Sequence, residues 1–149
     1  MKSIFIKEYN DEIIGRINKL TSDAKPQWGK MNAGQMLAHC TVGVRIAFGE
    51  QKLKRVFIGI LFGRLAKKIL VNDKPFRHSS PTAKEFIIAG DRNFEEEKAR
   101  LISYVMRFAK DGEKVLRKEP HPFFGKLTTT EWDGLMWKHL DHHLRQFGV

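Results

Sequence analysis

Residues 132–149 constrain this chain more than any other stretch. Trp132, Leu135, Met136, His139, His143, Gln146 and Phe147 recur at three- and four-residue steps, while Lys138, Asp141 and Arg145 take the opposite side. That period predicts an amphipathic helix. Its ends are signalled locally: Thr128 with Glu131 three residues on is a capping box, and Leu127 can staple onto Trp132. Gly148 supplies the left-handed residue that closes a helix. Three of the six histidines, His139, His142 and His143, fall within five positions of this segment.

His139 and His143 are four apart, which places their Cβ atoms roughly 5–6 Å from each other on one helix face. Two imidazoles so placed can converge on one ion at metal–nitrogen distances of about 2.0–2.1 Å. His142 lies about 60° from His139, on the side away from His143, and so flanks the pair. The plainer alternative is that histidines in a last turn offset the negative end of the helix dipole. A third ligand from elsewhere would decide for the metal.

Upstream, Ile6, Tyr9, Ile13, Ile14, Ile17 and Leu20 predict a first helix over about residues 5–20, followed by a connector with Pro26 and Gly29. A second helix opens at Asn32, with Gln35 three residues on and Met31 and Met36 placed to staple. Along it Met36, His39, Gly43 and Ile46 form one stripe, with Cys40, Val44 and Ala47 beside it. His39 therefore points inward. Taken alone, it reads as a core histidine satisfied by a neighbour. Gly43, one turn later, leaves room beside the ring. Cys40 is rotated about 100° from His39 and reads as core. A further helix runs from Phe94 to about Lys110, with Leu101, Tyr104, Val105 and Phe108 inward and Glu95, Glu96 and Glu97 at its positive end.

The middle of the chain has a different character. Residues 52–77 hold Lys52, Lys54, Arg55, Arg64, Lys67, Lys68, Lys74 and Arg77 against the single acid Asp73, and so carry seven of the ten net positive charges. Between them 56–71 is apolar, with Ile58, Phe62, Leu65 and Ile69 on one face and Arg64, Lys67 and Lys68 on another. Interior charges and short length exclude a membrane span. The reading adopted is an additional helix packed on the body with its lysines in water. Docking on an acidic membrane, a partner or phosphates is the alternative. No recognised DNA-binding motif accompanies the charge, so no specific nucleic acid is expected. Gly59 and Gly63 allow close packing.

Residues 72–93 form a long connection rich in turn formers, Asn72-Asp73-Lys74-Pro75, His78-Ser79-Ser80-Pro81 and Gly90-Asp91, of the kind that is usually functional or mobile. His78 is expected in solvent. In Pro120-His121-Pro122-Phe123-Phe124-Gly125 the prolines predict an irregular segment laying its phenylalanines over the body, with His121 in a solvent-facing turn. The 149 residues suit one domain, 1–149. A single cysteine excludes an internal disulfide, and Met1 to Ile4 lead into mixed charge with no signal-peptide core, so a cytoplasmic location is expected.

Four long helices and an accessory one, with weak strand signals, predict an all-α bundle whose sites come from facing helices. His39 from one core helix and His139 with His143 from another are then three inward imidazoles available to one ion. At this point Trp28-Gly29-Lys30-Met31-Asn32-Ala33-Gly34-Gln35-Met36-Leu37-Ala38-His39-Cys40 and His139-Leu140-Asp141-His142-His143-Leu144-Arg145-Gln146 resemble the DinB/YfiT-like metalloenzymes, and more closely a subfamily of unknown function. The resemblance implies a four-helix bundle of DinB type, with an additional amphipathic helix and a long loop between the second and third core helices. It also implies a divalent ion, zinc or nickel foremost, on His39, His139 and His143. Relatives in that group include thiol-dependent transferases and an isomerase using a small thiol. The expected function is thus thiol-dependent transferase-type or metal-activated hydrolytic chemistry on a small molecule. A non-catalytic metal protein, a binder acting through 52–77, and a homodimer stay open as alternatives. A His-Glu-x-x-His peptidase is not expected: Leu140 stands where the glutamate would be, and Asp141 points about 200° from His139.

Overall fold

The long helices form where the apolar spacing predicts them. The computed structural model describes residues 2–55, 57–72, 74–78 and 86–149. Val56, Asp73, the Ser79-Ser80-Pro81 turn and the side chain of Ile58 lie outside the described residues. The elements are α1 (Lys7–Lys19), α2 (Ala33–Ala47), α3 (Phe57–Ala66), α4 (Phe94–Asp111) and α5 (Thr129–Gln146), with 3-10 turns at Lys67–Ile69 and Gly112–Val115. There is no strand among the described residues, only a single antiparallel bridge between His121 and Gly125. The chain is all-α.

The predicted caps are present. Asn32 and Gln35 make a reciprocal capping box on α2, and Thr128 and Glu131 make one on α5; beyond those predicted, Asn93 accepts from Glu96 N–H at the start of α4. Each satisfies backbone N–H groups that a helix start leaves unpaired, worth about 1 kcal/mol apiece. Gly148 takes φ 76°, the left-handed conformation that follows the end of α5. The carbonyl end of α1 is closed from outside: Lys98 of α4 donates to the carbonyls of Asn18 and Leu20 at 2.9 and 3.0 Å.

α2 packs on α4 and α5, and α1 packs on the same two helices. Between them lie Ile13, Ile17, Met36, Leu37, Val44, Ile46, Leu101, Val105, Phe108, Leu140 and Leu144, all 1% exposed or less. Burying one such side chain stabilises the fold by about 1.5–3 kcal/mol. Two polar pins set how the helices meet. Buried Asn10 donates to the carbonyls of Ile4 and Val105 at 2.9 and 2.8 Å, tying the N-terminal segment to α4. Arg16 pairs with Asp141 at 2.8 Å and donates to the Val149 carbonyl, tying α1 to the end of α5.

Two sequence expectations fail here. Lys138, on the side of the helix opposite the apolar face, does not reach solvent; it is 6% exposed. Its ammonium donates to the Ile69 carbonyl and, at 3.0 Å, to the carbonyl and side-chain oxygen of Asn72. The turn after α3 therefore lies on the face of α5 that periodicity leaves polar, and the lysine satisfies its carbonyls. The second failure is the orientation of α3. Its Phe62, Leu65 and Ile69 are exposed, not packed. The side turned to the body carries Gly59 and Gly63, where a Cβ would fall 2.5 Å from the Phe123 carbonyl oxygen at Gly59 and overlap it at Gly63. Close approach of the 123–124 backbone selects the glycine side, because only there can it lie directly on the helix.

Candidate metal centre

His39 sits two turns into α2, and His139 and His143 sit one turn apart on α5. Because α2 packs on α5, the three rings meet. Their centroids are 4.9 Å apart for His39–His139, 4.7 Å for His39–His143 and 4.8 Å for His139–His143. One nitrogen from each lies within 4.8 Å of the others. The His39 and His139 Nε2 atoms are 3.0 Å apart, near the roughly 3.3 Å between two nitrogens bound tetrahedrally at 2.0–2.1 Å. Three histidines thus lie close enough to hold one metal ion.

The outer ring nitrogens say which lone pairs face inward. His39 Nδ1 is 3.0 Å from the Phe86 carbonyl oxygen, which can only accept, so Nδ1 carries the proton and Nε2 is left free. At His143 the argument runs through Gln146. The Gln146 amide nitrogen donates to the Trp28 carbonyl at 2.6 Å, which turns its oxygen toward His143 Nδ1 at 2.9 Å. His143 Nδ1 therefore donates, and its Nε2 is free as well. Outer partners of this kind fix tautomer and ring orientation in metal sites. Gly43 passes close under the third ring: a Cβ there would be 3.0 Å from His139 Cε1.

Burial holds all three rings neutral, the state that ligates. It pushes His39 below its ordinary range against the opposing pull of the Phe86 carbonyl. His143 is pushed down to about 3, by burial first and then by His39. His139 lies well below its ordinary value, through burial and then the charges His143 and His39 would carry. Among the described residues no carboxylate joins the group. Asp141 is engaged with Arg16 and Arg145, at 2.8 and 2.9 Å. Cys40 is buried, its thiol pushed up by burial and directed at Met36 Sδ, 3.7 Å away. It is core, as its register predicts.

Around the trio runs an aromatic rim. The half-buried His142 ring lies 5.1 Å from His143, 5.5 Å from Trp28 and 6.2 Å from Phe76. His78 is exposed, as expected, and stacks on Trp28 at 3.7 Å. The long connection thus contributes Phe76, His78 and the Phe86 carbonyl to the surroundings of the histidines. Gln146, three residues past His143, was legible as an i, i+3 neighbour. The Phe86 carbonyl, a backbone group, has no sequence signal.

His121 departs from expectation: it is 7% exposed. Its Nδ1 accepts the N–H groups of Phe123 and Phe124 at 3.0 and 3.2 Å, and Trp132 packs against its edge. The tight 121–125 turn folds the ring under itself. Burial, then the charges of Arg117 and Arg55, push its pKa down to about 3. An unfolded histidine titrates near 6.5, so between the two values the unfolded chain binds more protons. The contribution of His121 is complete above about pH 6.5 and falls as pH drops toward 3, by about 1.4 kcal/mol per pH unit. His121→Asn keeps an acceptor oxygen for the turn but does not titrate. Urea unfolding across this range should show a shallower acid slope in the variant by that amount; an unchanged slope would place the loss elsewhere.

A family model described as protein of unknown function (DUF1569) matches residues 5–148. The chain belongs to that family. No curated protein and no solved structure matches it. What the DUF1569 chain offers to functional reasoning is therefore its own geometry, centred on His39, His139 and His143.

Proposed function

We propose that this protein is a metal-dependent enzyme of DinB type, in which α1, α2, α4 and α5 form the four-helix bundle and His39, His139 and His143 hold a single divalent ion, zinc or nickel. The observation that carries the reading is the meeting of three neutral imidazoles from two helices, two of them with tautomers set so that Nε2 faces the shared centre. Three nitrogen donors leave coordination open, and imidazole suits both metals. An ion so held supplies Lewis acidity and stabilises a thiol as thiolate.

The chain's own residues divide the remaining work. Phe86 and Gln146 hold the ligand rings in orientation, and Trp28, Phe76 and His142 wall the approach with aromatic surface suited to a small molecule. Among the described residues the group includes no carboxylate to act as general base. That favours a substrate bringing its own acidic nucleophile, and the reaction class proposed is thiol-dependent transfer. Two measurements test it. Elemental analysis of protein purified without a histidine tag should find about one divalent ion per chain. The cobalt-substituted protein should show a visible spectrum that changes on adding a small thiol. An unchanged spectrum up to high thiol concentration would move the assignment to hydrolytic or non-catalytic metal binding.

A further inference from the structure

α3 is held to the body by its narrowest side. Gly59 and Gly63 lie on the backbone of Phe123 and Phe124, and Lys67 at its end donates to the Lys126 carbonyl and pairs with Glu131 at 3.5 Å. With that side committed, five apolar side chains of the helix among the described residues face outward. Phe57 is 73% exposed, Ile60 57%, Leu61 60%, Phe62 55% and Leu65 68%. At 100° per residue these five span an arc of about 200° in which Arg64 is the only charge. Ile69 and Val71 continue the apolar surface beyond the helix, at 45% and 49%. Contiguous apolar surface of this kind marks an interaction site. Exposed Lys52 and Lys54 precede the helix, and exposed Lys68 and Lys74 follow it.

Charge and shape together choose the occupant. A second copy would bring the same cations face to face, and the chain already carries ten net positive charges. A nucleic acid would neutralise the lysines and could stack a base on Phe57 or Phe62, but it would leave aliphatic Ile60, Leu61 and Leu65, three of the five exposed side chains, without an apolar partner. An anionic lipid surface meets both demands: acyl chains take the apolar arc while acidic headgroups take the flanking cations. Ten residues span only about 15 Å, and no helix among the described residues is long and apolar enough to cross a membrane. The helix would lie in the interface plane.

We propose that α3 is an interfacial helix that docks this protein on anionic lipid bilayers, with Phe57, Ile60, Leu61, Phe62 and Leu65 entering the headgroup layer. This rests on the outer face of α3 and is independent of the metal reading. The test is co-sedimentation of the full chain with phosphatidylcholine vesicles, with and without phosphatidylglycerol. Binding should be strong only with the anionic lipid and should weaken as salt rises. Leu61→Asn with Leu65→Asn should reduce partitioning at least tenfold, with the helical circular dichroism signal unchanged. Lys68→Glu with Lys74→Glu should do the same. Leu61→Trp should report the insertion directly, as a blue shift of its added fluorescence on anionic vesicles. Three results would overturn the proposal. Unaltered vesicle binding in the Leu61/Leu65 variant would deny this face a role. A dimer that the same variant dissociates, with no vesicle binding, would assign the face to a second copy. Salt-sensitive binding to duplex DNA without vesicle binding would assign it to nucleic acid.

Discussion

Replacing His39, His139 or His143 with alanine is expected to abolish metal binding, whereas His142→Ala keeps most of it. Each of the three has a ring nitrogen within 4.8 Å of the other two, and the His142 ring lies outside the group, against Trp28 and Phe76. Removing one of three imidazoles leaves two donors, too few to hold an ion firmly against water. A ligand present at a hundred times its dissociation constant stabilises the native state by about 2.7 kcal/mol. For a chain of this size that is a melting shift of roughly 5–10 °C. Chelation should lower the melting points of the wild type and of His142→Ala by about that much, and leave the other three variants unmoved. Comparing each variant with and without chelator cancels whatever the substitution does to the metal-free fold. Loss of metal in His142→Ala with retention in His143→Ala would overturn the assignment.

Gln146→Leu should weaken metal affinity by about 10–100-fold, the range typical of losing an outer hydrogen-bond partner. Gln146 is 3% exposed and bridges His143 Nδ1 to the Trp28 carbonyl. Leucine fills similar space but leaves both partners unpaired, at a stability cost of about 1–3 kcal/mol each. The His143 ring is then free to turn or to move its proton to Nε2. Gln146→Glu separates orientation from bulk packing: it still accepts from His143 while losing the donor to Trp28, and should recover much of the affinity. A competition titration against a coloured chelator reads all three proteins. Equal affinity in wild type and Gln146→Leu would mean that packing alone orients His143.

The features legible beforehand are those settled within one or two helical turns. The capping pairs Asn32–Gln35 and Thr128–Glu131 need only residues three apart, and both form. The α5 face carrying Trp132, Leu135, Met136, His143 and Gln146 is buried as its period requires. That His139 and His143 share a side is likewise a property of the helical repeat. His39 is different. Its inward direction could be read, but its meeting with the α5 pair depends on α2 packing against α5. It also depends on Gly43 leaving room for the His139 ring.

Where the expectation failed, backbone that the side-chain period does not describe made the decision, distant in the chain for Lys138 and α3 and local for His121. Lys138 carries the period of an exposed residue, yet the carbonyls of Ile69 and Asn72 come to rest on it. His121 stands between prolines like a turn residue, yet the N–H groups of Phe123 and Phe124 fold back onto its ring. α3 carries a hydrophobic stripe that should point inward, yet the 123–124 backbone docks on Gly59 and Gly63 and turns that stripe to solvent. By itself the sequence determined the helices, their caps, and the spacing that puts two imidazoles on one side of α5, because side-chain period and capping are short-range. Only the tertiary structure decided that the His39 ring reaches them, that Lys138 is buried and which face of α3 is left open. Those outcomes follow from where unpaired backbone groups far apart in the chain find partners, and no local pattern encodes that.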